Sequence, residues 1–386
     1  MKKRIFALCL AVVTVFTVIA ALTACGDKPA QTTPQPTVTT TTKPSAGTTT
    51  NKPNPPDVTT TTKKAEEPEK PADVLTIGTK EELLAFMKAG KDKSNTYAGK
   101  TVKLTANIDL NDTRDLADGK PWYQGENLTK WEPIDAPFQG TFDGAGYVIK
   151  GLYIEANHDT DGTWTAMFRS ASNATFQNLA IVDAYVHVTI SDEVYANEKG
   201  QSNSRVAVIV ANGSPLNFQS CYVDAFMDCD RIRNMGYLAG WVQSGLTMEN
   251  CYTSGKMIGY TCGALFSGTC GGTIKHCFST VEITSSAEGR QGERTLTAWC
   301  GGAVNMSETY AQSGQFETET LHHSGVTATD CGFLTVDQLK GEAAKEAMKG
   351  FDFTNIWQIH DDAAPSLKIF GDNADCIVTP TAKPAE

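Results

Sequence analysis

Two adjacent aromatics are the first residues whose type and setting suggest chemistry. The stretch Asp118-Gly119-Lys120-Pro121-Trp122-Tyr123-Gln124-Gly125-Glu126-Asn127 places two rings among amides and carboxylates. A pyranose offers a C–H face that stacks on such rings and hydroxyls that bond to such neighbours. Trp164, which follows Asp161-Gly162, is a candidate to join Trp122 and Tyr123 on the same flank as a ligand-binding residue. The competing role for these rings is packing beneath loops, which is expected of Trp131 in Trp131-Glu132-Pro133-Ile134. Glycoside chemistry would need paired carboxylates. Asp109, Asp112, Asp115, Asp143 and Asp183 are instead scattered among turns, and Asp143 before Gly144 is a turn former. Arg231 and Arg233, near Asp228 and Asp230, read as a surface ion-pair group. His322-His323 lacks a third ligand, and no CxxC pair occurs. No nucleophile triad, P-loop or dinucleotide fingerprint is found. No catalytic residue, metal ligand or cofactor is therefore assigned.

The elements that carry these residues sit in an acidic domain. The chain has 386 residues and a formal net charge of −11. Residues 73–386 alone carry 24 Lys/Arg against 39 Asp/Glu, a balance of −15. A domain so acidic has no basic field with which to displace counterions, so nucleic acid and anionic lipid are poor partners. There is no Gly-X-Y period and no sustained heptad, which excludes collagen and coiled coil.

Residues 1–72 read as export and reach. Lys2, Lys3 and Arg4 precede an apolar run from Ile5 to Leu22, the pattern of a secretory signal. Leu22-Thr23-Ala24-Cys25 resembles the bacterial lipobox, which implies lipidation of Cys25 and a signal peptide over residues 1–25. Two or three acyl chains, at ~0.8 kcal/mol per buried CH₂, anchor firmly. Residues 26–72 are a Thr/Pro-rich linker without hydrophobic periodicity, expected to be disordered. It would hold the domain away from the membrane, as stalks do on lipoproteins of Gram-positive cells. The expected location is the extracellular face of the bacterial membrane.

The folded part repeats. Thr175-Phe176-Gln177-Asn178-Leu179-Ala180 is echoed by Asn217-Phe218-Gln219-Ser220-Cys221-Tyr222, Thr247-Met248-Glu249-Asn250-Cys251-Tyr252, Thr273-Ile274-Lys275-His276-Cys277-Phe278 and Thr327-Ala328-Thr329-Asp330-Cys331-Gly332. Cys221, Cys251 and Cys277 follow one another at near-equal intervals, and Cys331 comes after twice such an interval. Short alternating strands between Gly, Asn and Ser turns cannot bury a face alone, but stacked coils can. Leu179, Cys221, Cys251, Cys277 and Cys331 share one slot and are expected to point inward as a ladder of compact thiols. Stacked rungs have parallel Cβ vectors, a poor geometry for disulfides. A Cys262–Cys270 pair within one coil is left open.

Pro137-Phe138-Gln139-Gly140-Thr141-Phe142-Asp143-Gly144-Ala145-Gly146, followed by Tyr147 to Ile154, resembles the opening coil of bacterial surface proteins with GLUG-type repeats. Gly236–Gly240 with Asn250-Cys251-Tyr252, and Gly263–Gly268 with Cys277-Phe278, are similar to the repeat itself, with Ala239 and Ala264 in place of glycines. The resemblance implies a right-handed parallel β-helix, an all-β solenoid over residues 73–371, and lends no active site. Short capping helices are expected at both ends. Thr79-Lys80-Glu81-Glu82 opens one. Thr335-Val336-Asp337-Gln338 opens the other, with Leu339, Ala343, Ala347 and Met348 on one side. Phe351, Phe353, Ile356 and Trp357 then pack the C-terminal end, and residues 372–386 form a disordered polar tail. The function expected is a lipid-anchored, non-catalytic cell-surface protein for adhesion to an extracellular glycan or surface protein, touching the membrane only through its lipid. The alternative is a secreted β-helical carbohydrate-active enzyme, a polysaccharide lyase or hydrolase.

Overall fold

The structure, a computed structural model, describes residues 73–382 apart from 161–162, 198–203, 230, 286–293, 317 and 323–324. The expected signal peptide, Cys25 and the expected linker lie outside the described residues. Three parallel ladders build the domain, two along its length and the third over its middle coils. The first sheet has nine strands, from Asp73–Ile77 to Val326–Thr329, the second ten and the third eight. Successive coils add strands to these sheets in parallel, so the fold is a parallel β-helix.

The repeat sets the register. On the first sheet Val102, Phe142, Phe176, Phe218, Met248, Ile274 and Met306 stand opposite one another in successive strands. All seven are buried, and Phe176 stacks on Phe218 at 5.3 Å. After each four-residue rung the chain turns through a left-handed residue: Asn178, Ser220, Asn250, His276, Glu308 and Asp330, with φ from 44° to 53°. Asn and Asp tolerate this region best, which accounts for half of the six.

The residue after that corner points inward. Leu179, Cys221, Cys251 and Cys277 are fully buried. Cys331 is half-buried, because no further coil covers it. The doubled interval between Cys277 and Cys331 hides a rung: Thr309, also fully buried, fills the slot and donates its hydroxyl to Ser307 O at 2.8 Å. Cys277 makes the same backward contact to Lys275 O, and Cys331 to Thr329 O. Burial pushes the thiols of Cys221 and Cys277 well up, so both are neutral packing groups. Cys262 and Cys270 bracket the extended strand Cys262–Thr269, and a disulfide cannot span that length.

The two terminal helical stretches form and do different work. Helix Lys80–Ala89 has the expected capping box, Thr79 with Glu82. It turns Leu83, Phe86 and Met87 into the core, and the Phe86 ring lies 5.9 Å from Phe142 and 6.1 Å from Phe168, closing the N-terminal end. The second stretch is a 3₁₀ turn, Asp337–Leu339, then helix Gly341–Ala347. Gly341, at φ 53°, breaks the phase between them, so Ala344 is buried and Ala343 is exposed.

From there the chain departs from expectation. It does not pack over the open C-terminal end. It runs back along the outside of the second sheet, where the outward row Val148, Ala180, Tyr222, Tyr252, Phe278 and Tyr310 is apolar. Trp357 is fully buried against Tyr252, Phe278 and Phe351. Its Nε1 donates to Asn250 Oδ1 at 3.2 Å. The supposed tail is docked as well. Cys376 is buried, Tyr252 donates its hydroxyl to Cys376 O at 2.7 Å, and Gln312 Nε2 donates to Thr381 O at 2.7 Å. The C-terminal boundary of the domain therefore moves from residue 371 to residue 382, and residues 348–382 form a C-terminal strap. The row of outward rings needs a cover, and this segment supplies it.

Candidate functional site

Beyond the strap, the same strands continue as an outward row of different character. Tyr153, Tyr185, Phe226, Lys256 and Glu282 stand opposite one another, from strand Tyr153–His158 to strand Glu282–Ser285. Two positions further along lies the row Glu155, His187, Asp228. Alternation puts both rows outside and Ile154, Val186 and Met227 inside.

The loop carrying Trp122 and Tyr123 folds onto this face. Its 3₁₀ turn, Trp122–Gln124, lays the Tyr123 ring flat on Tyr185, with centroids 3.9 Å apart and 4° between planes. Tyr123 also leans on Phe226 at 5.8 Å, and Tyr153 stacks beside Tyr185 at 5.8 Å. Tyr185 is 9% exposed, while Tyr123, Tyr153 and Phe226 remain half-buried. Burial raises the Tyr185 hydroxyl far above its ordinary value, and Asp228 adds to that.

The three aromatics expected to bind ligand do not act together. Trp122 is 8% exposed, with its ring against the Tyr153 edge at 6.3 Å. It is mainly a packing residue that borders a surface cavity of about 600 Å³ with Lys80, Asp112, Arg114 and Asn127. Trp164 belongs to the third sheet, where it pairs in register with Arg205, so it does not share the flank of Tyr123. Tyr123 is the one of the three that lies on the outer aromatic row of the second sheet. Trp131 is a core residue whose Nε1 donates to Met167 O at 3.0 Å.

Next to the aromatic row, His187 Nδ1 lies 3.5 Å from Asp228 Oδ2 on the neighbouring strand. A carboxylate group follows at the junction with the strap. Lys150 Nζ reaches Asp375 Oδ1 at 2.7 Å and Asp183 Oδ2 at 3.4 Å. Burial opposes the charge on Lys150, but these two carboxylates hold its pKa above the usual value. Asp183 also accepts from Thr113 Oγ1 at 2.8 Å, and its N–H donates to Asp224 Oδ2 at 3.3 Å. Asp224 Oδ1 accepts from Ser254 Oγ at 2.6 Å. Burial raises the Asp224 carboxyl, and Asp183 adds to the rise. A polar cavity of about 380 Å³ opens here, lined among others by Asp224, Glu282, Asp375 and Gln315.

Sequence reading missed Asp224, Lys150 and Asp375, which come together from three distant parts of the chain. It also missed the shared row of Tyr185 and Phe226. Tyr185 lies six residues after Leu179, and Phe226 five after Cys221. The irregularity between Ile181 and Ala184, where Asp183 turns left-handed at φ 48°, takes up the extra residue. Two other expectations change. Arg231 pairs with Asp192 at 2.7 Å and lies over Tyr195, while Arg233 lies over Tyr260. Asp228 faces His187; Asp230 and His323 lie outside the described residues.

No family model and no curated protein matches the sequence. Among solved structures, a point mutant of Bacillus subtilis pectate lyase is similar at 11% identity over 81% of this chain and 92% of that chain, with a TM-score of 0.22. At that TM-score the likeness carries no argument about activity.

Proposed function

We propose that the domain is a non-catalytic, cell-surface binding module that adheres through an extracellular glycan. The observation that supports this reading is the row Tyr153, Tyr185, Phe226 with Tyr123 stacked upon it, flanked by Glu155, His187 and Asp228. Half-open rings offer stacking faces to a sugar, and the next row offers donors and acceptors to its hydroxyls. The lipobox ending in Cys25 supports placement on the outer face of the membrane, with the Thr/Pro linker as a stalk. The GLUG-like repeats fit a surface role, and the acidic balance argues against nucleic acid as a partner. The test is a glycan array probed with the full chain and with Tyr123→Ala. The reading expects binders that the variant loses. An array on which the wild type binds nothing, or on which the variant binds alike, would overturn it.

A second reading has its own support. Asp183 and Asp375 share one ammonium group, while burial favours the protonated form of Asp224 beside them. A buried carboxyl beside two further carboxyl groups is the kind of arrangement on which glycoside hydrolysis draws. Release of reducing ends from a polysaccharide by the wild type, lost in Asp224→Asn with the melting temperature retained, would move the protein from binder to enzyme.

A further inference from the structure

The third sheet carries an arginine that no carboxylate among the described residues pairs with. Arg205, at the start of strand Arg205–Ala207, is held between two indoles: its guanidinium carbon lies 5.1 Å from the Trp164 centroid and 5.1 Å from the Trp241 centroid. Trp164 is its register partner on the preceding coil. Trp241 comes from the next coil, where its ring lies over Gly268 of the neighbouring strand. A Cβ at Gly268 would sit 2.6 Å from that ring, so only glycine lets the indole lie down and reach the guanidinium. Asn212, 8% exposed, accepts from Nη1.

One further nitrogen of the guanidinium is unmet among the described residues. Nε is buried and has no hydrogen-bond partner. Arg114, Arg169 and Arg231 each pair with a carboxylate, Asp112, Asp135 and Asp192, whereas no described carboxylate pairs with Arg205. Burial lowers its pKa to about 10, a measure of how poorly its charge is solvated there. An unpaired, half-buried cation is costly in any protein. The domain carries a balance of −15, yet none of its described carboxylates is placed to pair with this cation. Planar guanidinium donors match a carboxylate or sulfate, and the flanking indoles match a sugar ring.

We propose that Trp164, Arg205, Trp241 and Asn212 form a second binding site, separate from the aromatic row of the second sheet, that takes an acidic sugar through its carboxylate or sulfate. The choice of a sugar as carrier rests on the glycan-binding reading; the demand for an anion does not. The site would give an acidic protein a selective grip on an acidic polymer that its general field repels.

The experiment is calorimetric titration of the full chain, in detergent, with a hexuronate trisaccharide, a sulfated disaccharide, their neutral counterparts and inorganic sulfate. Indole fluorescence is followed in parallel. At least one acidic sugar should bind tenfold or more tighter than its neutral counterpart, with a change in indole emission, and its affinity should fall as salt rises. The carboxylate and sulfate arms identify which group is taken. Arg205→Gln should erase the preference for acid over neutral. Should that variant not fold, Arg205→Lys keeps the charge but loses the planar fork, and a tenfold loss of affinity is expected. Equal binding of acidic and neutral sugars, or an unchanged preference in either folded variant, would overturn the proposal. Binding of sulfate but of no sugar would support the anion site and remove the sugar as its carrier. Loss of neutral-glycan binding in Tyr123→Ala, with acid binding intact, would keep the two sites distinct.

Discussion

The outer face of the second sheet is one surface with two fates. At one end of its strands the row Val148, Ala180, Tyr222, Tyr252, Phe278, Tyr310 is sealed by the C-terminal strap. A few residues along the same strands, the row Tyr153, Tyr185, Phe226, Lys256, Glu282 is met by Tyr123 and otherwise keeps half-open positions. Strand geometry is common to both, so chemistry makes the difference. The sealed row is built of apolar and aromatic residues, and two of its three tyrosine hydroxyls donate to strap carbonyls, Tyr252 to Cys376 O and Tyr310 to Lys349 O, while that of Tyr222 pairs with Ser254. The open row turns charged after its third ring and borders the carboxylates Asp183 and Asp224. A face that can satisfy all its polar atoms with a cover is buried, while one that cannot is left for a ligand or for water.

The inner side of the same strands sets the upper limit of the comparison. Cys251 immediately precedes Tyr252 and faces the core. Cys251→Asp buries a charge with no partner and should cost more than about 3–5 kcal/mol, enough to prevent folding. Cys251→Ala should cost only about 1–2 kcal/mol. Equal tolerance of the two, read by denaturant melts, would mean the slot does not face inward. On the sealed outer side, Trp357→Ala removes a fully buried indole and should cost about 3–5 kcal/mol. A loss below about 1 kcal/mol would show that the strap rests on the sheet without sealing it.

How much of this contrast the sequence carried depends on the range of the contacts involved. The slot of Leu179, Cys221, Cys251 and Cys277 is legible because a coil fixes it locally: a rung, a left-handed corner, an inward residue. The N-terminal capping box is legible for the same reason. Thr309 is not, because the corner before it is Glu308 and the coils on either side of it depart from the common length, one longer and one shorter. The strap is illegible in principle. Its apolar residues announce burial but not where, and Trp357 meets Asn250 across 107 positions of sequence. The candidate site suffers from both problems. The bulge at Asp183 absorbs an extra residue, so that Tyr185 pairs with Phe226 although the two lie at different distances from their corners in sequence, and the Lys150–Asp375 contact spans 225 positions.

A smaller effect tests where the open half ends. His158 closes the strand Tyr153–His158, fully buried, with Nε2 at 2.9 Å from Thr165 Oγ1. Burial, with help from Arg169, lowers its pKa to about 4 from the ordinary histidine value of 6.5. The unfolded chain therefore binds the proton first as pH falls. Stability should be full above about pH 6.5 and lost progressively down to about pH 4, by roughly 2–3 kcal/mol. His158→Gln should flatten that part of the pH–stability curve; an unchanged slope would assign it to other groups.

The smallest expected effect on folding carries the largest consequence for function. Tyr123 is half-buried and touches the sheet by one face, so Tyr123→Ala should cost about 1 kcal/mol of stability, the value of a lost ring stack. If the ring is part of a sugar platform, the same change should weaken glycan binding by about 1–3 kcal/mol. Trp122→Ala, one position earlier, should do the reverse: about 3–5 kcal/mol of stability lost, since the indole is 8% exposed, with no selective loss of binding in the protein that remains folded. The pair separates the two roles because neighbouring residues on one 3₁₀ turn share backbone, loop and solvent, and differ only in which face of the ring is covered. Phe226→Ala supplies the cross-check from the strand side, since Phe226 lies 5.8 Å from Tyr123 without depending on the loop. If it weakens binding as Tyr123→Ala does, the platform belongs to the sheet. If only Tyr123→Ala does so, the loop binds by itself, and the open half of the second sheet is merely its support.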